Sequence, residues 1–485
     1  MCSLRSFAAI LLFLCNLQPT SMSIKIRNRL IALSCFLLFV AIGATYFWNN
    51  ASQKPFAVIL FVGDGMSPSI LTATRLYDGG ADDRLAIEDF PNLALTRTYG
   101  NDFAVPDTAS AATALATGER VNHQSLAIDV NGKPLVSLLE EAAAKNRAVG
   151  LLSTGSLTGE SAAAFFAKSL TPQDQTATAA QLLTHTPIDL LIGGGRKYFF
   201  PHSEKKNTST EQSLLEPVSM VAAADEKQGV DGAQQRSVYR NTRAASTGAT
   251  QHVAAAVEHE CRFLEQVSAK GYSIAKNVDE WNALPSWKSS PVLALLAEED
   301  FTFHDSSKGE RSQPSLTDLV KQSIQHLQHS RHGYLLVIDD ALIAKAAALN
   351  KGEQLFREVL QFDQAVAAAR QYAGPNALII IAGKQNLGGL RMNGIPFRND
   401  KGIAVLGLNA QGAPSLTWSS GPGHNISSDG NKENSSILAE PSSFNTPMAL
   451  GIATDTITLG VGPGSQQIHG FIDLTTVHDV IKKQL

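Results

Sequence analysis

Phe56-Ala57-Val58-Ile59-Leu60-Phe61-Val62-Gly63-Asp64-Gly65-Met66 is the stretch whose reading decides the fold. Seven apolar residues run without interruption and end in two glycines flanking an aspartate. A strand wetted on one face alternates apolar and polar residues. An unbroken run suits a strand covered on both faces, as in a parallel sheet. Asp64 then falls at the carboxyl end of that strand, where open α/β sheets bind their ligands. The pattern recurs at Ala148–Thr154, at Ile188–Ile192 before Gly193-Gly194-Gly195, at Tyr334–Ile338 before Asp339-Asp340, and at Ala377–Ile381 before Ala382-Gly383. Helical segments such as Ser315–Leu327 and Glu353–Tyr372 lie between. Strands alternating with helices predict an α/β fold: one large domain with a central, mostly parallel sheet and helices on both faces.

A second stretch bears on chemistry. Val105-Pro106-Asp107-Thr108 opens the small-residue run Ala109-Ser110-Ala111-Ala112-Thr113-Ala114-Leu115-Ala116-Thr117-Gly118. Alanine favours helix, and a small-residue face packs closely on a sheet. Thr108 is then placed at a helix N-terminus, where backbone N–H groups and the helix dipole favour an anion. On local grounds two readings stand: an Asp/Thr cap on a buried helix, or a hydroxyl nucleophile beside a phosphate site.

Composition sets the class. Of the 485 residues 44% are hydrophobic and 17% charged, which fits a globular chain and not a disordered one. The net charge of −4 gives no electrostatic reason to expect nucleic acid. Leu30–Trp48 is an uncharged, largely apolar run preceded by Lys25, Arg27 and Arg29, long enough to cross a bilayer with its N-terminal side cytoplasmic. Residues 1–50 are therefore expected to form a signal-anchor or transmembrane segment. A cleaved signal peptide, with Ala41-Ile42-Gly43 as its site, is the alternative. Residues 6–15 form a shorter apolar run, and Met22 is a second possible start. Either way the body is expected on the periplasmic side of the inner membrane. Cys2, Cys15 and Cys35 lie in the leader and only Cys261 in the body, so neither an internal disulfide nor a cysteine zinc site is available there. The domain is expected over residues 54–485, with polar surface insertions near 205–250 and 421–441.

From about Phe56 to Val480 the chain resembles the exported bacterial alkaline phosphatases. The resemblance rests on pieces in one order: Phe61-Val62-Gly63-Asp64-Gly65-Met66; Pro106-Asp107-Thr108-Ala109; Leu191-Ile192-Gly193-Gly194-Gly195-Arg196-Lys197-Tyr198-Phe199-Phe200-Pro201; Pro314-Ser315-Leu316; Gly333-Tyr334-Leu335-Leu336-Val337; Phe362-Asp363; Gly462-Pro463-Gly464-Ser465; and His469-Gly470-Phe471-Ile472-Asp473. It implies phosphate monoester hydrolysis through a phospho-enzyme, with two zinc ions activating the nucleophile and stabilising the leaving oxygen. It also implies a supporting magnesium and an arginine on the phosphate. The implied ligand is a phosphorylated small molecule or other anion, and a homodimer is common in the family.

Carried over by resemblance, Thr108 stands at the nucleophile. Asp64 stands at an aspartate shared by one zinc and the magnesium. Ser161 and Asp339 stand at magnesium ligands, Asp339 one methylene shorter than the usual glutamate. Elsewhere the sequence departs. The zinc aspartate and histidine of the stretch after Val337 fall on Ala344 and Ala348. The Asp-His pair of the other zinc falls on Gly383 and Lys384. A further zinc histidine falls on Gly451, and the phosphate arginine falls near Pro172. Alanine and glycine offer no lone pair, and Lys384 puts a cation where a divalent ion belongs, a repulsion of about 4 kcal/mol per charge pair at a surface-like dielectric. Zinc binding is thus not expected, while magnesium is left open. Lys384 is expected to pair with Asp64 or to contact an anion near Thr108. Asp339 and Asp340 are expected to pair with Lys345 or Lys384, or to face solvent. His123, His304 and His424 are ligand candidates by type alone. Two readings follow: a catalytically impaired, membrane-tethered pseudophosphatase, or a phosphomonoesterase with Thr108 as nucleophile and an altered metal site.

Overall fold

The computed structural model describes residues 24–51, 56–182, 187–200, 263, 265–284, 290–304, 313–394, 397–408, 412–423 and 440–485. The expected insertion at 205–250, most of that at 421–441, and His424 lie outside them. The chain divides into two units, Met1–Lys54 and Pro55–Leu485.

In the first unit a helix runs Ile24–Ala51 and takes in the apolar stretch. Among the described residues, no helix is long and apolar enough to cross a membrane. The expectation of a membrane-spanning helix is corrected to that extent. The helix is 28 residues long, and Lys25 and Arg29 stand in its first turns.

The second unit is built on one ten-stranded sheet. Its strands are β1 Ala57–Gly63, β2 Asn92–Arg97, β3 Ala148–Ser156, β4 Leu190–Gly194, β5 Ser273–Ala275, β6 Val292–Leu295, β7 Tyr334–Asp340, β8 Leu378–Ala382, β9 Thr456–Val461 and β10 Gly470–Asp473. They lie in the order β10-β2-β9-β8-β1-β7-β3-β4-β6-β5. Pairing is parallel from β8 across to β5, while β9 runs antiparallel to both β8 and β2. The sheet is therefore mostly parallel, as the apolar runs predict. β1 is buried at every position, which is why its sequence does not alternate.

Alternation survives as a choice of layer. Ile59, Phe61, Leu336, Ile338, Ile379 and Ile381 join one core, with the helix Gly352–Ala373 against it. Val58, Leu60, Val62, Leu335, Val337 and Ile380 join the other, which holds the helix Thr108–Thr117 through Ala109, Ala112 and Leu115. By this period of two, Asp339 falls on the layer of the Thr108 helix and Asp340 on the opposite one.

Candidate functional site

The register of β8, β1, β7 and β3 assembles the site. Val62 pairs with Asp339 on one side and Ala382 on the other, and Asp339 pairs with Ser153. Carrying β1 and β8 two residues further sets Asp64 beside Lys384. Four neighbouring strands thus present Lys384, Asp64, Asp339 and Ser153 at their carboxyl ends, where a parallel sheet opens its crevice.

Lys384 is fully buried and its ammonium donates to Asp64 Oδ2. Of the two expected roles for Lys384, the structure shows the pair with Asp64. Asp64 is buried too, and its Oδ1 has no hydrogen-bond partner. Asp339 accepts from Ser153 Oγ at 2.8 Å and from Ser161 Oγ. Burial pushes the Asp339 carboxyl up, and the Lys384 ammonium and the two hydroxyl donors partly offset that. Asp340, on the other layer, accepts from Thr154 Oγ1 at 2.7 Å, and its Oδ2 has no partner. Burial, with Asp339 adding repulsion, pushes it up to about 7. Glu358 beside it is pushed up to about 8 by burial and by Asp340, although the His304 N–H donates to it at 2.6 Å. The expected partners of this pair are therefore corrected. Both aspartates are buried, and Lys345 bonds Asp300 at 2.8 Å instead. Lys345 follows Asp340 by five residues and lies on the helix Ala341–Ala348, whose course carries it away from the strand end.

Thr108 is the first residue of its helix. Asp107 is the cap, accepting from the Ser110 N–H at 2.9 Å and, through its other oxygen, from the Gln124 N–H at 2.7 Å. The local reading of a capped helix therefore holds for Asp107, and it leaves the Thr108 hydroxyl for other contacts. That hydroxyl accepts from Gln385 Nε2 at 3.1 Å. It lines an open cleft of about 680 Å³ together with Phe103, His123, Gln173, Gln385 and Gly451. Glu160 lines the same cleft. Burial pushes its carboxyl up to about 7, with Asp107 and Asp64 adding repulsion, while Lys384 and the Ala109 N–H favour the charged form. His123 Nδ1 lies 3.0 Å from Asp102 Oδ1.

The other singled-out positions are scattered around this centre. Gly451 lines the cleft. A side chain there would meet Val105 Cγ1 at 2.9 Å. At Gly383 a Cβ would meet the Met66 carbonyl at 2.6 Å. Ala344 packs near Gly65, and the Ala348 carbonyl accepts from the Ala449 N–H at 2.8 Å; neither lines the cleft. Pro172 is buried next to Gln173 of the cleft wall. Gln385 and Glu160 were not foreseen. Their signals are position only: Gln385 is two residues past a buried strand run that ends in Gly383, and Glu160 directly precedes Ser161.

Comparison with known proteins settles the family. The family model described as alkaline phosphatase matches residues 56–485. The chain belongs to the alkaline phosphatase family. Among its relatives is the tissue-nonspecific alkaline phosphatase of Gallus gallus, 26% identical over 458 residues, covering 85% of this chain and 81% of that protein. Solved alkaline phosphatases share the fold. The cold-active one from a psychrophilic Shewanella superposes with a TM-score of 0.63 at 21% identity, covering 89% of this chain and all of that one. The one from the Antarctic bacterium TAB5 gives 0.62 at 18%, covering 89% and 98%.

The metals that alkaline phosphatase resemblance implies can be tested against the donors present. Among the described residues, no group of three or more His, Cys, Asp or Glu side chains is placed to hold a metal ion. Zinc needs several such ligands, so the described residues do not by themselves fit zinc. The expected magnesium donors are brought closer: Ser161 bonds Asp339, and Asp64 and Lys384 lie within electrostatic reach of it. Yet both Asp339 oxygens already take hydroxyl protons, and Asp64 takes an ammonium.

Proposed function

We propose that this alkaline phosphatase family protein does not run the two-zinc reaction and keeps its cleft for binding. One observation carries the reading: the Lys384 ammonium, wholly buried, is bonded to Asp64, the aspartate that the resemblance assigns to a zinc and the magnesium. A buried ion pair of this kind is not opened cheaply, since separating it strands a charge. Without zinc to activate it, the Thr108 hydroxyl stays protonated and weakly nucleophilic. A second reading, a phosphomonoesterase with Thr108 as nucleophile, draws on the place of Thr108 at a helix N-terminus facing an open cleft.

Metal analysis and hydrolysis of an aryl phosphate at alkaline pH, with Thr108→Ala as control, separate the two. The proposal expects substoichiometric zinc and no hydrolysis that depends on Thr108. Two zinc ions per chain, or turnover abolished by Thr108→Ala, overturn it.

We also propose that the body is exported and held at the membrane by the helix Ile24–Ala51. Leu33, Phe36, Leu37, Phe39 and Val40 are all exposed on that helix, an apolar surface that lipid would cover. Fractionation tests this: the full chain is expected in the membrane pellet after a high-salt wash, and recovery in the soluble periplasmic fraction overturns it.

A further inference from the structure

The cleft beside Thr108 is short of positive charge. None of the described residues lining it is Lys or Arg, and its His123 is engaged with Asp102. Lys384 is spent on Asp64 behind the wall. Two carboxylates do line it, Asp107 and Glu160. They also crowd the donors that make a helix start attractive to an anion. Asp107 accepts from the Ser110 N–H, and Glu160 lines the same cleft, near enough to the Ala109 N–H for that donor to favour its charged form. The Ala111 N–H is already bonded to the Asp107 carbonyl. Of the first turn, the Thr108 and Ala109 N–H groups take no partner from the cap or the helix.

We propose that Glu160 is a specificity-determining residue: its carboxylate stands in for an anionic ligand at the start of the Thr108 helix and excludes free phosphate from the cleft. This rests on the metal-free reading above, because a bound divalent cation would reverse the local charge. Glu160 is held in place by chain geometry. Gly159 precedes it as the cap of the short helix Glu160–Ala163, and Ser161 next to it is tied to Asp339. The carboxylate is thus fixed between the Thr108 helix and the Asp64–Lys384 pair. A phosphate oxygen seeking the Ala109 N–H would have to displace one negative charge and approach another.

The test is calorimetric titration of the full chain with inorganic phosphate at pH 8.5, with EDTA and separately with added zinc. Wild type, Glu160→Gln and Glu160→Ala are compared, with circular dichroism to confirm folding. The wild type is expected to show no binding, and both variants to gain phosphate affinity of at least about tenfold, the scale of one repulsive charge contact removed. Wild-type binding in EDTA as tight as that of the variants overturns the proposal, and this arm needs no variant to fold. Folded variants that bind no better than wild type overturn it as well. Wild-type binding that appears with zinc and vanishes with EDTA overturns the metal-free reading, a result distinct from either.

Discussion

Asp339 and Asp340 are neighbours in sequence and opposites in setting. One faces the Thr108 layer, where two hydroxyls donate to it and an ammonium lies close by. The other faces the layer of the helix Gly352–Ala373, where it has one hydroxyl, a bare oxygen and Glu358 for company. Both are buried. The contrast teaches that depth alone does not decide what a buried carboxyl does. On one layer a cation and donors come with it and partly offset the cost of burial. On the other, two acids face each other and hold their protons to about neutral pH.

Four tests break or sharpen that contrast. The largest effect is expected at Lys384. Lys384→Met leaves Asp64 charged, buried and unpaired, and should cost about 3–5 kcal/mol in denaturant unfolding. Replacing both partners, as Lys384→Met with Asp64→Leu, should recover much of that loss. A single-mutant cost below about 1 kcal/mol would mean that the ammonium is not what supports the acids of that layer.

Next comes Asp339→Asn, which replaces an acceptor of two hydroxyl protons by one with a single carbonyl oxygen. It should lose about 1–3 kcal/mol, whereas Asp340→Asn should be close to neutral or stabilising at pH 8. Equal losses at the two positions would erase the distinction between the layers.

The third test is pH. The folded Glu358 carboxyl, at about 8, lies above its unfolded value of 4.5. The folded state therefore holds the proton more tightly, and the stabilisation is complete below about pH 4.5. It is lost as pH rises through about 8. Glu358→Gln keeps an acceptor for the His304 N–H and removes the titration. It should be about 1–2 kcal/mol more stable than wild type at pH 8.5, with that advantage gone at pH 5. A difference independent of pH would place the titration elsewhere.

The smallest effect is expected at Asp107→Ala, which removes the helix cap and should cost about 1 kcal/mol. Asp107 makes no contact with Asp339 or Asp340, and its removal relieves the repulsion that helps raise the Glu160 carboxyl. A change in the pH dependence of stability outside the range of Glu160 would show that the cap is coupled to Asp339 or Asp340.

How much of this was legible in the sequence follows from how each feature is encoded. Strands β1, β7 and β8 could be read because burial on both faces removes every polar residue, and their carboxyl ends could be read because glycine or aspartate stops the run. Lys384 meeting Asp64 could be listed as one of two options, since both lie just beyond parallel runs. Choosing between the options needed the register, which joins β8 to β1 directly and is not written in either strand alone. Glu160 escaped because nothing local marks it. A glutamate at the start of a short helix usually serves the dipole of its own helix, and the cleft it shares with Thr108 joins residues some fifty positions apart in the chain. The Asp340–Glu358 pair escaped for a similar reason: Glu358 sits in a helix whose pattern shows only that one face is buried. The membrane expectation came from hydropathy alone; a helix forms there, and among the described residues no helix is long and apolar enough to cross a membrane.

Gly383 adds a constraint on redesign. The Met66 carbonyl stands 2.6 Å from where its Cβ would be, and Thr456 Cβ stands at 3.0 Å. A carboxylate restored at that position would first have to push aside the turn after β1 and the start of β9, which together help hold Asp64 where it is. The site therefore behaves like a ratchet: no exchange of one side chain at 383 leads back towards a metal centre, and a route in that direction passes through a change of backbone.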